Sequence, residues 1–200
     1  YKKGVLLMKA DQPEEAKKSL HRSLEIEPEQ DRASLALGRI AFRAEEYGLA
    51  RDHLKRAISL NKDLWRAYDL LGVTYDRQKQ HALAQDAYTA AILINPEHGA
   101  LNNNLGASYA LDGEHEKALD QFREAVEKGY ENEMVYNNMG LMLAHLERYE
   151  EAVRWFKKGG AGVQQSRLCL PAAGKAQKGP RELQPCHRKK AGLLRARFGE

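Results

Sequence analysis

Cysteine is nearly missing from this chain of 200 residues: Cys169 and Cys186 are the only two, and both lie in the last third of the sequence. Two thiols define no disulfide framework, and their spacing matches no common metal motif. The seven histidines are scattered with no H-x-x-x-H pair, so no metal site is expected and surface histidines are. No apolar run approaches the ~18 residues of a membrane span. Charge of one sign is not in large excess either, with 32 Lys and Arg against 28 Asp and Glu.

What the sequence does contain is a period. LLGVTYDRQKQHALAQDAYTAAILINP, residues 70 to 96, recurs in outline as NLGASYALDGEHEKALDQFREAVEKGY, residues 104 to 130, an offset of 34 residues. Gly38, Gly72, Gly106 and Gly140 fall in step, as do Ala50, Ala84, Ala118 and Ala152, and Gly4 with Ala16 brings a truncated first copy into register. Four residues after each alanine stands a bulky side chain: Leu20, Leu54, Tyr88, Phe122 or Phe156. Three further on comes a small one: Ser23, Ala57, Ala91, Ala125 or Gly159. Residues three, four and seven apart share a helical face, so each copy carries two packing stripes. In the fourth copy Leu105, Gly106 and Tyr109 form one stripe and Ala118, Phe122 and Ala125 the other, separated by the turn signal Asp112-Gly113. Glycine inside a helix costs about 0.5 to 1 kcal/mol against alanine, so its repeated use implies a gain from close helix approach. Pro28 and Pro96 mark where second helices end, with Lys62 and Tyr130 in their place in other copies.

These columns resemble the tetratricopeptide repeat (TPR), a helix-turn-helix unit carrying Leu-Gly, Tyr, Ala, Phe or Tyr, Ala and Pro at these relative positions. The resemblance covers residues 1 to 158: a partial repeat at 1–30, then repeats at 31–64, 65–98, 99–132 and 133–158. It implies an all-α fold, a superhelical solenoid of antiparallel helix pairs with a concave inner surface.

Residues 159–200 break the period and form an irregular basic tail. They hold nine Lys and Arg against two Asp and Glu, a balance of +7 in a chain of +4, which leaves −3 for residues 1 to 158. The basic pI therefore belongs to the tail, and the array carries no nucleic-acid footprint; a basic arm is the literal reading of the tail. Read one nucleotide later, the codons of Val163 to Arg167 admit Tyr-Asn-Asn-Leu-Gly, the counterpart of Tyr136-Asn137-Asn138-Met139-Gly140. Later positions admit the remaining repeat columns, so the tail is expected to be a sixth repeat out of frame. Tyr1 falls inside a repeat, so any leader or anchor is expected upstream, and the compartment, cytoplasmic or periplasmic, is not fixed by these residues.

No nucleophile, acid and base occur as a set, and Glu14-Glu15 and Glu150-Glu151 suit helix starts, where carboxylates meet the positive end of the dipole. Ala172-Ala173-Gly174-Lys175-Ala176 lacks the first glycine and the hydroxyl of a phosphate loop. The chain is therefore expected to be non-enzymatic and to need no cofactor. The concave stripe of the first helices picks out Arg32, Leu35, Arg39 and Phe42; Arg66, Asp69, Val73 and Asp76; Asn103, Asn104 and Ala107; and Met134, Asn137, Asn138 and Leu141. Of these, Arg39, Asp69, Val73, Asp76, Asn103, Asn104, Asn137, Asn138 and Leu141 are the candidate peptide-groove residues. A carboxamide offers both donor and acceptor and can pair with the backbone of an extended peptide. Stacked one repeat apart, Asn104 and Asn138 resemble the asparagine ladder of the repeat region of O-GlcNAc transferase, although Ala36 and Leu70 hold the equivalent places earlier. The carboxylate clamp of chaperone-binding repeats needs Lys and Asn where this chain has Leu35 and Arg39, or Asp69 and Val73, and is not expected.

The leading expectation is thus a protein-interaction scaffold that holds a partner peptide or helix in the groove. Asn-Asn-Leu-Gly, Tyr-Glu-Glu-Ala and the Gly159-Gly160 ending look like bacterial TPR proteins, including those of pilus and envelope assembly. The alternative is a substrate-recruiting arm of a larger enzyme such as a glycosyltransferase. No nucleic-acid partner and no membrane span are expected.

Overall fold

The computed structural model describes residues 1–160; Cys169, Cys186, the loop-like run at 172–176 and the out-of-frame reading of the tail lie outside the described residues. Ten helices follow one another: α1 (Lys2–Lys9), α2 (Pro13–Ile26), α3 (Asp31–Arg43), α4 (Tyr47–Leu60), α5 (Trp65–Arg77), α6 (His81–Ile94), α7 (Gly99–Leu111), α8 (His115–Glu127), α9 (Glu133–His145) and α10 (Tyr149–Lys158). They pack as five hairpins, α1 with α2 through α9 with α10, and each second helix packs on the first helix of the next hairpin. Among the described residues there is no strand, and no helix is long and apolar enough to cross a membrane. The all-α solenoid expected from the period is the observed fold.

The columns explain the hairpins atom by atom. Ala16, Ala50, Ala84, Ala118 and Ala152 are all completely buried. A Cβ added to the glycine of each hairpin would stand 2.7 Å from Leu20 (on Gly4), 2.9 Å from Leu54 (on Gly38), 2.7 Å from Tyr88 (on Gly72), 2.9 Å from Phe122 (on Gly106) and 2.7 Å from Phe156 (on Gly140). The glycine thus makes the seat that the bulky side chain of the second helix occupies, which is the gain that offsets its poor helix propensity.

The turn inside each hairpin is also periodic, in a way the residue types conceal. Asp11, Glu45, Lys79, Gly113 and Glu147 all have positive φ, between 55° and 82°. After each, the next backbone N–H reaches back to the helix: Gln12 to Leu7, Glu46 to Ala41, Gln80 to Tyr75 and Glu114 to Tyr109 at 2.9 Å, and Arg148 to Leu143 at 2.8 Å. This six-to-one bond closes a Schellman motif and satisfies a carbonyl that the helix end would otherwise leave free.

The first helices also touch one another, α3 with α5, α5 with α7 and α7 with α9, whereas successive second helices approach less closely. First helices therefore line the inner side of the stack and second helices the outer side. Glu14 and Glu15 lie in the first turn of α2, and Glu150 and Glu151 in that of α10, near the positive end of the dipole, although neither helix start has a side-chain cap hydrogen bond.

Candidate functional site

The inner face is built from α3, α5, α7 and α9, and its chemistry changes along the stack. Arg39 on α3 is exposed. One turn on, Arg43 shares its face. Arg66, in the first turn of α5, lies with its guanidinium over the Trp65 ring at 4.4 Å, and Trp65 in turn lies 4.7 Å from the His98 ring. Loss of water around its guanidinium, then the proximity of Arg43 and Arg66, holds Arg39 below the usual arginine range.

The middle of the face is acidic but tied down. Asn104 on α7 donates from Nδ2 to Asp69 Oδ1 at 2.9 Å, linking two repeats, and Asn103 Nδ2 donates to Asn104 Oδ1 at 3.3 Å. Burial pushes the Asp69 carboxyl up to about 6, with the Asn104 bond pulling partly against it. Asp76 meets three groups on two neighbouring helices: Ser108 Oγ on α7 donates at 2.8 Å, Tyr88 OH on α6 donates at 3.2 Å, and His81 Nδ1, also on α6, lies in contact at 2.9 Å. Desolvation raises its carboxyl and these bonds oppose the shift. Asp76 therefore serves as a tie between its own hairpin and the next. Tyr88, buried beside it, is pushed well above the usual phenol range, first by burial and then by the charge of Asp76.

Toward α9 the face becomes amide and apolar. Asn103 and Asn138 are buried, and Asn104 and Asn137 are half-buried. Asn103 Oδ1 and Asn137 Oδ1, 34 residues apart, are both buried without a hydrogen-bond partner. Leu141 is exposed, while Val73 is buried in the wall between hairpins. The candidate residues thus fall into three groups: a cationic end at Arg39, a tied acidic centre at Asp69 and Asp76 with Asn104 bound into it, and an end at Asn103, Asn137, Asn138 and Leu141 with two spare acceptors. Val73 shapes the wall.

The sequence reading did not pick out Arg43, Ser108 or His81. Arg43 was findable as the residue one turn beyond Arg39; Ser108 and His81 were not, because their link to Asp76 crosses helices. Four of the described histidines also have ring partners of their own kind. His115 stacks on His145 with centroids 4.4 Å apart, and His21 meets His53 edge-on at 6.2 Å. Among the described residues no group of three or more His, Cys, Asp or Glu could hold a metal ion.

Comparison with known families decides what this array is. Models described as "Tetratricopeptide repeat" match residues 1–64 and 70–133, and a further one matches residues 134–159. The chain belongs to the tetratricopeptide repeat family. Solved TPR structures share its fold. MamA is 24% identical with a TM-score of 0.74, covering 79% of this chain and 92% of that one. A structure entitled "YrrB: a TPR protein with an unusual peptide-binding site" is 22% identical with a TM-score of 0.69, covering 83% and 85%. PilF of Pseudomonas aeruginosa is 22% identical with a TM-score of 0.72, covering 84% and 78%. No curated protein matches the sequence. As a member of the TPR family the chain is a protein-interaction scaffold.

Proposed function

We propose that the inner face holds an extended segment of a partner protein, and that the chain acts as a non-catalytic adaptor. The observation that carries this reading is the pair of unpartnered acceptors, Asn103 Oδ1 and Asn137 Oδ1, at equivalent places in successive repeats. Buried polar atoms without partners are rare and costly, about 1 to 3 kcal/mol each. Asn137 Oδ1 sits against the backbone of Gly159, and a carboxamide turns about one soft bond, so each oxygen can swing from its buried position to the N–H of a passing backbone. Two such contacts one repeat apart suit an extended chain read through its main chain, with Leu141 offering an apolar contact beside them. The likeness to YrrB, a TPR protein described as having an unusual peptide-binding site, supports the same use of the fold.

Service in pilus or envelope assembly is the cellular setting we propose for such an adaptor, on the likeness of its repeats to bacterial TPR proteins and on the fold shared with PilF. The test of the groove is a selection of peptides from a displayed random library on the full chain, followed by titration calorimetry against the full chain and Leu141→Glu. Selected peptides should lose about tenfold or more in affinity to the variant, one buried contact being worth that much. Equal affinity for both would place the binding elsewhere and reject the groove.

A further inference from the structure

The arginines gather at the α3 end of the inner face. From their position and their lack of carboxylate partners we infer that Arg39, Arg43 and Arg66 form a docking surface for the side-chain carboxylates of an acidic stretch in the bound segment. This rests on the groove reading above and adds the chemistry of one end of the ligand.

Three observations lead there. First, among the described residues none of the three guanidiniums is ion-paired to a carboxylate, although ion pairs with arginine form elsewhere, as between Arg148 and Glu151 or Arg123 and Asp120. Like charges gathered without counter-charge destabilise the free protein, so a ligand that brings the counter-charge gains what the fold forgoes. Second, arginine offers five donors in a planar fork, which matches a carboxylate in two parallel bonds. Arg39 and Arg43 one helical turn apart, with Arg66 from the next hairpin, provide several such forks rather than a single point charge. Third, this end has no carboxamide. The places equivalent to Asn104 and Asn138 hold Ala36 and Leu70, both buried. Nothing here is set to grip a main chain or its terminus, so recognition falls to side chains, while backbone pairing is left to the asparagine end.

The same arrangement argues against a nucleic-acid strand. Asp69 and Asp76 follow directly on α5, and a phosphate backbone running along the face would pass from the arginines onto carboxylates. An acidic stretch one repeat long, leading into an uncharged extended segment, has no such conflict.

The experiment uses the full chain and short peptides blocked at both ends, so that no terminal carboxylate is present: one rich in Asp and Glu, one with the amides Asn and Gln in their place, and one rich in Lys. Fluorescence anisotropy should show the acidic peptide binding about tenfold or more tighter than the amide peptide, and losing that advantage as salt is raised. The variant Arg39→Gln, Arg43→Gln, Arg66→Gln, checked for unchanged helicity by circular dichroism, should bind the acidic and amide peptides alike. It retains every Lys and Arg of the tail, so an acidic preference that survives in it overturns the inference. Equal binding of acidic and amide peptides to the unaltered chain also overturns it and leaves the groove reading standing. Conversely, a preference that the arginine variant abolishes while Leu141→Glu changes nothing keeps the inference and removes the rest of the groove. Tighter binding of a single-stranded oligothymidylate than of the acidic peptide would reassign the surface to polyanions, and no binding of any probe would refute it.

Discussion

Gly72 on α5 faces the ring of Tyr88 on α6 so closely that a Cβ added to it would lie 2.7 Å from Cε1 and 2.8 Å from Cδ1 and Cζ. Tyr88 is almost fully buried and its hydroxyl is engaged by Asp76, so the ring has no free direction in which to retreat. This one contact contains the logic of the array: a missing side chain on one helix is the socket for a large one on the next.

Replacing that glycine tests the logic directly. Gly72→Ala gains up to about 1 kcal/mol of helix propensity, yet the clash with a fixed ring should outweigh it and destabilise the chain by about 1 to 3 kcal/mol. Gly48, in the first turn of α4, has nothing within 4 Å of the equivalent point. Gly48→Ala should therefore stabilise by about 0.5 kcal/mol, propensity alone deciding the sign. Urea unfolding of the two variants checks the contrast.

Overpacking from the other helix should act likewise. Ala118 is completely buried at the start of the α8 seam against α7. Ala118→Leu is expected to cost about 1 to 3 kcal/mol, and an unaltered melting curve would contradict the register.

The hairpin turns offer stabilisation. Glu45 and Lys79 adopt φ of 61° and 60°, a region where a Cβ is penalised by roughly 1 to 2 kcal/mol. Glu45→Gly and Lys79→Gly should each raise stability by about 0.5 to 1 kcal/mol after the entropy cost of glycine, and Gly113→Ala should lower it by about 1 kcal/mol. Thermal melts at fixed pH read all three.

Asp69 sets a pH dependence with a definite sign. An unfolded aspartate titrates near about 3.9. In the folded chain burial moves Asp69 up to about 6, so between those values the native state holds the extra proton. Its contribution to stability is therefore fully present below the lower value and is lost as pH rises through about 6. Asp69→Asn, which can still pair with Asn104, should be more stable than the parent at neutral pH by about 2 to 3 kcal/mol, a gap that closes to within about 0.5 kcal/mol near pH ~4. A difference independent of pH would place the desolvated charge elsewhere.

The fold was legible because its determinants are local and repeated. Gly72, Ala84 and Tyr88 sit on two helices joined by a short turn, so their spacing in the chain fixes their meeting in space. The turns were only partly legible: Gly113 announced a positive φ, whereas Asp11, Glu45, Lys79 and Glu147 hold the same conformation with residues that do not advertise it. Here the six-to-one bond and the packing of two helices override the preference of the residue.

The inner face was legible as a stripe but not as a network. Arg39, Asp69, Asn104 and Asn138 could be placed on it by helical periodicity. That Asn104 spends its donor on Asp69, leaving Asn103 and Asn137 with spare acceptors, depends on distances between repeats that no spacing along the chain contains. The three-way tie at Asp76 joins α5, α6 and α7 and was invisible for the same reason.

The most direct test of a groove that reads a partner's backbone is calorimetric titration of a library-selected peptide into the full chain and into Asn103→Ala with Asn137→Ala. Removing the two unpartnered acceptors, together with the long Asn103–Asn104 bond, should change folding stability by no more than about 1 kcal/mol while weakening the peptide by about tenfold or more. Unchanged affinity, or a loss of affinity matched by a loss of fold, would contradict it.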